Sequence, residues 1–133
     1  ILNLLAQLKR ERQLAILLIT HDLASARYLA DRILVLYQGR IVEDGASGAV
    51  VEAPAHPYTR ALLGAIADTD GAAPAARRAV EKISSAPAVG CPFAPRCPDV
   101  FDLCRTSEPA PRVVDGRRVR CHLYPAGAPT PVQ

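Results

Sequence analysis

A chain of 133 residues, half of them apolar, has room for one ordinary domain and enough apolar surface to bury a core. Its formal net charge of +3 is mild, and no apolar run approaches the roughly 20 residues that a membrane span requires, so any membrane link would run through partners. Most of the Leu, Ile and Val lie in the first 66 residues, whereas the region from Ala67 onward is dominated by Ala, Pro, Gly and Arg, which predicts a compact front and a separate tail.

Ile1, Leu4, Leu5 and Leu8 follow the i, i+3, i+4, i+7 spacing of one helical face, so residues 1–11 read as an amphipathic helix. The chain starts without methionine, directly inside that pattern and with no basic leader or signal-type cleavage site. It therefore reads as a piece of a longer chain, with the cytoplasm as its compartment. Leu14 to Thr20 is a continuous apolar run, too short for an ordinary helix, and predicts a strand buried on both faces as in a parallel sheet. Asp22 is placed to cap a helix from Leu23 to Ala30, its carboxylate accepting from backbone N–H groups that have no helical partner. Arg32–Tyr37 and Arg40–Asp44 are strand-like runs joined across Gln38-Gly39, which predicts a terminal β-hairpin with glycine supplying a positive φ. Ser47 is expected to cap a short helix through Glu52 that stops before Pro54, and Pro57 suits the first turn of a last helix over Tyr58–Ile66. Helices alternating with a buried strand argue an α/β layered architecture.

The segment Leu17-Leu18-Ile19-Thr20-His21-Asp22-Leu23, then Ala30-Asp31-Arg32-Ile33-Leu34-Val35-Leu36 and Gly39-Arg40-Ile41-Val42-Glu43-Asp44-Gly45, resembles the C-terminal end of an ABC-transporter ATP-binding subunit. The resemblance implies that His21 is the H-loop histidine, which contacts the γ-phosphate of ATP across a dimer of such subunits. The chemistry agrees, since ligands sit at strand C-termini in α/β sheets and an imidazole there can stabilise a transferring phosphoryl group. His56-Pro57-Tyr58-Thr59-Arg60-Ala61-Leu62-Leu63 is similar to the HPYTRALL signature of the oligopeptide and dipeptide (also nickel) importer branch. In packing terms Pro57 starts a helix, Leu62, Leu63 and Ile66 point inward, and Tyr58 and Arg60 are expected at the surface.

The chain carries no G-x-x-x-x-G-K-[ST] phosphate loop, no Q-loop, no LSGGQ-type signature and no Walker B acid pair. These groups cradle the nucleotide phosphates, hold magnesium and orient water. ATP and Mg are therefore expected only in the complete subunit, and no independent activity from this stretch. The partners implied are a second ATP-binding subunit, identical or homologous, and transmembrane permease subunits at the cytoplasmic face of the inner membrane.

Residues 67–87, rich in Ala, Pro, Gly and Ser, read as a linker with room for a short helix over 75–83. The cysteines beyond it are spaced C-x5-C-x6-C-x16-C, at Cys91, Cys97, Cys104 and Cys121, in a stretch with too few apolar residues to build its own core. Proline and charge beside Cys91 and Cys97 argue against simple packing, and a reducing compartment argues against disulfides. Four thiolates suit tetrahedral zinc or an iron–sulfur cluster. Zinc sites favour paired C-x2-4-C knuckles that this chain lacks, so the uneven spacing leans toward a cluster. The region also resembles the cysteine-rich C-terminal extension of the same importer branch, whose C-x-F-x-P-R-C-P … C … C pattern holds a [4Fe–4S] cluster in some members. That resemblance implies Cys91, Cys97, Cys104 and Cys121 as the ligands, in a structural role, with zinc as the alternative; His122 is the only nearby substitute and reads better as solvated. Arg105, Arg112, Arg117, Arg118 and Arg120 form a basic loop without interleaved aromatics, which reads as a solvated surface or a face for an acidic partner rather than a nucleic-acid site.

The expected architecture is thus the C-terminal part of an ABC nucleotide-binding domain (1–66), a linker (67–87), a small irregular cysteine-rich metal-binding extension (88–125) and a disordered tail (126–133). The first functional reading is a transport ATPase piece. A stand-alone metal-binding module that touches nucleic acid through its arginines is the second, and a poorly folding remnant the third.

Overall fold

In the computed structural model the described residues are 1–67 and 89–125. The predicted helix over 75–83, most of the linker and the tail from 126 lie outside them. Helix α1 (Leu2–Arg12) ends where Gln13 turns left-handed, with Lys9, Arg10 and Arg12 in its last turn, where cations meet the negative end of the helix. Helix α2 (Leu23–Leu29) begins as predicted: the Asp22 carboxylate accepts from the N–H groups of Ala24 (2.9 Å) and Ser25 (3.3 Å). The two helices are tied together by Lys9, which donates to the Leu29 carbonyl (3.0 Å) and pairs with Asp31 (2.6 Å), and by Tyr28, whose hydroxyl donates to Asn3 (2.6 Å).

Strands β1 (Arg32–Tyr37) and β2 (Arg40–Ala46) form the predicted hairpin. Gln38 and Gly39 both have positive φ, 46° and 75°, the two-residue turn whose twist matches the strands it joins. Alternation along β1 buries Ile33, Val35 and Tyr37. Helix α3 (Ser47–Glu52) starts one residue earlier than a Ser47 cap requires: Ala46 holds the cap position and Ser47 is the first helical residue, its hydroxyl buried and without a partner among the described residues. Helix α4 (Pro57–Ala67) opens on proline, whose missing N–H would have had no helical partner there. A 3-10 turn (Ala94–Arg96), helix α5 (Asp102–Thr106) and strands β3 (Arg112–Val114) and β4 (Arg117–Val119) follow.

The sheet is four-stranded and antiparallel, in the order β1-β2-β4-β3. Two sequence expectations change here. The hairpin is not terminal, because β4 pairs with β2 in the register Glu43↔Val119 and Asp44↔Arg118, and the Arg120 N–H donates to the Val42 carbonyl at 2.9 Å. The extension therefore does not need a core of its own: Phe93, fully buried, stands edge-on to Tyr37 (centroids 5.2 Å) and packs on Tyr58 (5.4 Å). Such aromatic pairs favour edge-to-face approach. Tyr58, expected at the surface, is thus half-buried in the core, as is Leu62; the side chain of Ile66 lies outside the described residues.

The second change concerns Leu14 to Thr20, which forms no strand; Leu17 is 87% and Ile19 90% exposed. A strand buried on both faces exists only between neighbours, and among the described residues every strand belongs to the antiparallel sheet seeded by the hairpin. No helix among the described residues is long and apolar enough to cross a membrane.

Candidate functional site

The sequence singled out two sets of residues, and the structure does not bring them together. His21 lies on an exposed bend immediately before α2. The four cysteines, in contrast, come from three separate pieces of chain and line one cavity with His56 and Phe93. The cavity is narrow, with an interior volume of about 10 Å³.

Local structure explains the convergence. Gly90 adopts a φ of +98°, and a Cβ there would stand 2.6 Å from the Cys104 carbonyl oxygen, so only glycine lets this turn close on α5. The closure places the Cys91 N–H on the Cys104 carbonyl at 2.8 Å. Cys97 follows the 3-10 turn, and Cys121 follows the end of β4. All four cysteines are free thiols, with Cys91, Cys104 and Cys121 buried and Cys97 half-buried.

Burial pushes the Cys91 and Cys121 thiols up and Cys97 up to about 11. A backbone N–H two residues further on opposes that shift in each case, Phe93 for Cys91, Asp99 for Cys97 and Leu123 for Cys121. For Cys91 and Cys97 the intervening residue is Pro92 or Pro98, which has no N–H to offer. A buried thiol beside an oriented N–H is held neutral in the absence of a cation and stabilised as thiolate in its presence.

Among the described residues, no set of three or more His, Cys, Asp or Glu side chains stands close enough to hold one metal ion. A single tetrahedral zinc with bonds of about 2.3 Å needs its sulfurs packed around one point, so the thiols as placed do not make that site. A multi-iron cluster, in which each thiolate meets a different iron, tolerates wider spacing.

His56 and its surroundings were not legible as a site. His56 is 1% exposed. Its Nδ1 accepts from the Tyr58 N–H at 3.0 Å, its backbone N–H donates to Glu43 Oε2 at 2.9 Å, and its ring tilts against Phe93 at 5.8 Å. Burial, with the nearby Arg60 guanidinium, lowers its pKa to about 4. Hydrogen bonding with the Arg120 backbone works the other way.

Glu43 forms the floor of this region. Its carboxylate is fully buried, accepts from the N–H groups of Ala55 and His56 (2.9 Å each), and faces Arg117 Nη1 at 3.5 Å. Arg117, 4% exposed, donates to the carbonyls of Ala49 (2.9 Å) and Ala53, which closes the C-terminal end of α3. Asp44 takes Arg32 at 2.7 Å and Arg118 at 2.6 Å, and Glu108 takes Arg40 and, at 3.9 Å, Arg120. The arginine loop is therefore not one solvated face: Arg117 is buried, and Arg118 and Arg120 meet carboxylates of this chain. The signal was present as an acidic pair on a strand and an arginine pair 74 residues on, but nothing local shows that the two strands are neighbours. His122, expected to be solvated, is half-buried with its Nε2 2.8 Å from the Ser107 carbonyl.

Residues 42–104, from the core of β2 to the third cysteine, match the family model "Oligopeptide/dipeptide transporter, C-terminal region". Over that segment the chain is similar to the C-terminal region of the oligopeptide/dipeptide transporters, and the relatives it matches are ATP-binding proteins of dipeptide or peptide import. It is 41% identical to the dipeptide transport ATP-binding protein DppD of Escherichia coli (strain K12), over 98% of this chain and 41% of that protein. It is 44% identical to a peptide import ATP-binding protein of Brucella abortus (strain 2308), over 93% of this chain and 37% of the relative, and 43% identical to one of Brucella ovis, over 86% and 37%. The chain thus spans about two fifths of the length of these relatives. His21 lies outside the matched 42–104 region, and so does Cys121.

Proposed function

We propose that this chain is the C-terminal portion of the ATP-hydrolysing subunit of an ABC importer that energises uptake of dipeptides or oligopeptides. The observation that supports it most is that the HPYTRALL helix, the hairpin and the cysteine turn pack on one another through Tyr37, Tyr58 and Phe93, the last two inside the segment the family model matches and Tyr37 a few residues before it. Peptide rather than nickel as cargo follows the relatives, which serve dipeptide transport and peptide import.

In this reading residues 1–66 complete a nucleotide-binding domain, 67–87 connect it to the extension, and 88–125 are the extension. His21 acts on the γ-phosphate of ATP, which is bound with magnesium by groups outside this chain. An exposed imidazole just after an apolar run can be presented to a phosphate across a subunit boundary, where it stabilises charge that develops during transfer. A second ATP-binding subunit and transmembrane permease subunits complete the assembly at the cytoplasmic face of the inner membrane.

Cys91, Cys97, Cys104 and Cys121 are read as ligands of a [4Fe–4S] cluster. Support comes from four free thiols around one cavity and from backbone N–H groups near three of them. When bound, such a group supplies metal–thiolate bonds that would cross-link the turn before α5, α5 itself and the end of β4. The role is structural. Anaerobic purification with iron, sulfide and zinc analysis tests it: stoichiometric zinc without sulfide defeats the cluster.

For the ATPase, His21→Ala in the assembled transporter is expected to cut ATP turnover and peptide uptake by about 10²-fold or more while sparing ATP binding, because the contact matters mainly in the transition state. Unchanged turnover refutes the role of His21.

A further inference from the structure

We propose that the outer face of the extension around α5 is a self-pairing surface, on which a second copy of this chain docks about a two-fold axis. The contact goes beyond the transport reading, since it needs neither nucleotide nor metal.

On α5 Cys104 is turned inward and buried, whereas Phe101, Asp102, Leu103, Arg105 and Thr106 are exposed. The neighbours of the helix add apolar surface. Gly90 lies against the backbone of Cys104 and Arg105, which brings Val89, 62% exposed, beside the end of the helix. On the other side the His122 ring stands edge-on to Phe101 at 6.3 Å, and Leu123, 38% exposed, comes next in the chain. Val89, Phe101, Leu103 and Leu123 thus gather around a single short helix. Apolar side chains scattered singly are normal at a surface, but a contiguous patch marks a place where something binds.

The charges decide the occupant. Around this helix carboxylates are answered within the chain: Asp99 by Arg60 at 3.5 Å, Asp115 by Arg117 at 3.6 Å, and Glu108 by Arg40 and, at 3.9 Å, Arg120. Asp102 and Arg105 belong to no ion pair among the described residues. Three residues apart, they lie on one side of α5, about 4.5 Å from each other along its axis. A two-fold axis crossing the helix between them sets Asp102 of each copy opposite Arg105 of the other, so that one surface used twice satisfies both charges. A partner carrying a single sign of charge meets repulsion at one of these residues. Only an arrangement of opposite charges in reverse order meets attraction at both, and an antiparallel copy of α5 is such an arrangement. Leu103 and Phe101, beside the charges, lose their water in the same contact. A patch of this size makes a weak, exchanging dimer in the micromolar range.

The test is sedimentation equilibrium of the full chain across the micromolar range, without nucleotide and with reductant, so that the thiols form no disulfide between chains. A monomer–dimer equilibrium is expected. Asp102→Arg and Arg105→Asp each bring like charges face to face at both ends of the contact, and each is expected to weaken the dimer at least tenfold. The two changes together restore opposite charges and should recover the dimer to within about threefold. Leu103→Ser should weaken it without any change of charge. All four positions are exposed, and an unchanged circular dichroism spectrum confirms folding of each variant.

A chain that stays monomeric throughout overturns the proposal and leaves the face to a different protein. A dimer that both single charge changes leave unaltered, or that the double exchange does not recover, overturns it as well. Salt gives a measure that needs no variant: sodium chloride should weaken the dimer of the unsubstituted chain, because it screens exposed ion pairs, and indifference to salt overturns the pairing. None of these outcomes touches the transport reading, which the turnover of His21→Ala tests separately.

Discussion

Arg117→Met is the most searching perturbation of this fold. The guanidinium leaves while the aliphatic stem remains, so what is lost is charge and hydrogen bonding rather than packing. Arg117 Nη1 serves three acceptors at once: Glu43 Oε1 at 3.5 Å and the carbonyls of Ala49 (2.9 Å) and Ala53. Removing one member of a buried ion pair costs about 3–5 kcal/mol, because the other charge is left uncompensated. Glu43 keeps two N–H donors, from Ala55 and His56, which softens that loss. The two α3 carbonyls lose their partner, at about 1–3 kcal/mol if neither recruits water. The contributions overlap, so a total of about 3–5 kcal/mol is expected, a drop in folding equilibrium constant of about two to four orders of magnitude. The chain has no tryptophan, so urea unfolding followed by far-ultraviolet circular dichroism is the assay. Adding Glu43→Gln to Arg117→Met should cost less than the two single changes summed, because the uncompensated charge is gone. A loss below about 1 kcal/mol for Arg117→Met, or strict additivity of the pair, refutes the claim that this buried contact fastens the extension to the hairpin.

Two further outcomes follow from the same geometry. Arg32, and after it Arg118, hold the Asp44 carboxyl below its ordinary value against the opposing effect of burial. The stability this gives is complete above the unfolded carboxyl value of about 3.9 and is lost as pH falls through the lower folded value, so the urea midpoint should drop on acidification below about pH 4 and lose part of that dependence in Asp44→Asn. On the cluster reading proposed above, Gly90→Ala should reduce iron bound per chain several-fold, as read by metal analysis after anaerobic purification. A Cβ at Gly90 meets the Cys104 and Arg105 backbone at 2.6–2.7 Å, and a positive φ strains any other residue; full iron loading of Gly90→Ala would refute the part assigned to this turn.

What could be read from the sequence was what is decided over a few residues. The Asp22 cap, the Gln38-Gly39 turn and the proline opening of α4 each depend on local stereochemistry, and each is found in the structure. The run Leu14 to Thr20 failed as a strand because its pattern describes neighbours that the described residues do not supply. Arg117 was read as a solvated member of a basic loop because charge is ordinarily at the surface; its burial depends on Glu43, 74 residues away. His56 was seen only as the first letter of a helix motif. The pairing that fixes its tautomer is local, but the cavity it borders is made by residues from 91 to 123.

The place of β4 between β2 and β3 has a consequence during synthesis. The edge of β2 stays open until Arg118 reaches Asp44, a separation of 74 residues. At ordinary translation rates of about 5–20 residues per second, the hairpin waits about 4–15 s with an unpaired edge, the state in which strands recruit foreign partners. A nascent chain stopped short of residue 117 would keep that edge permanently. Premature termination here would then yield an adhesive polypeptide, a natural client for chaperones, where loss of a mere appendage would have left a finished domain.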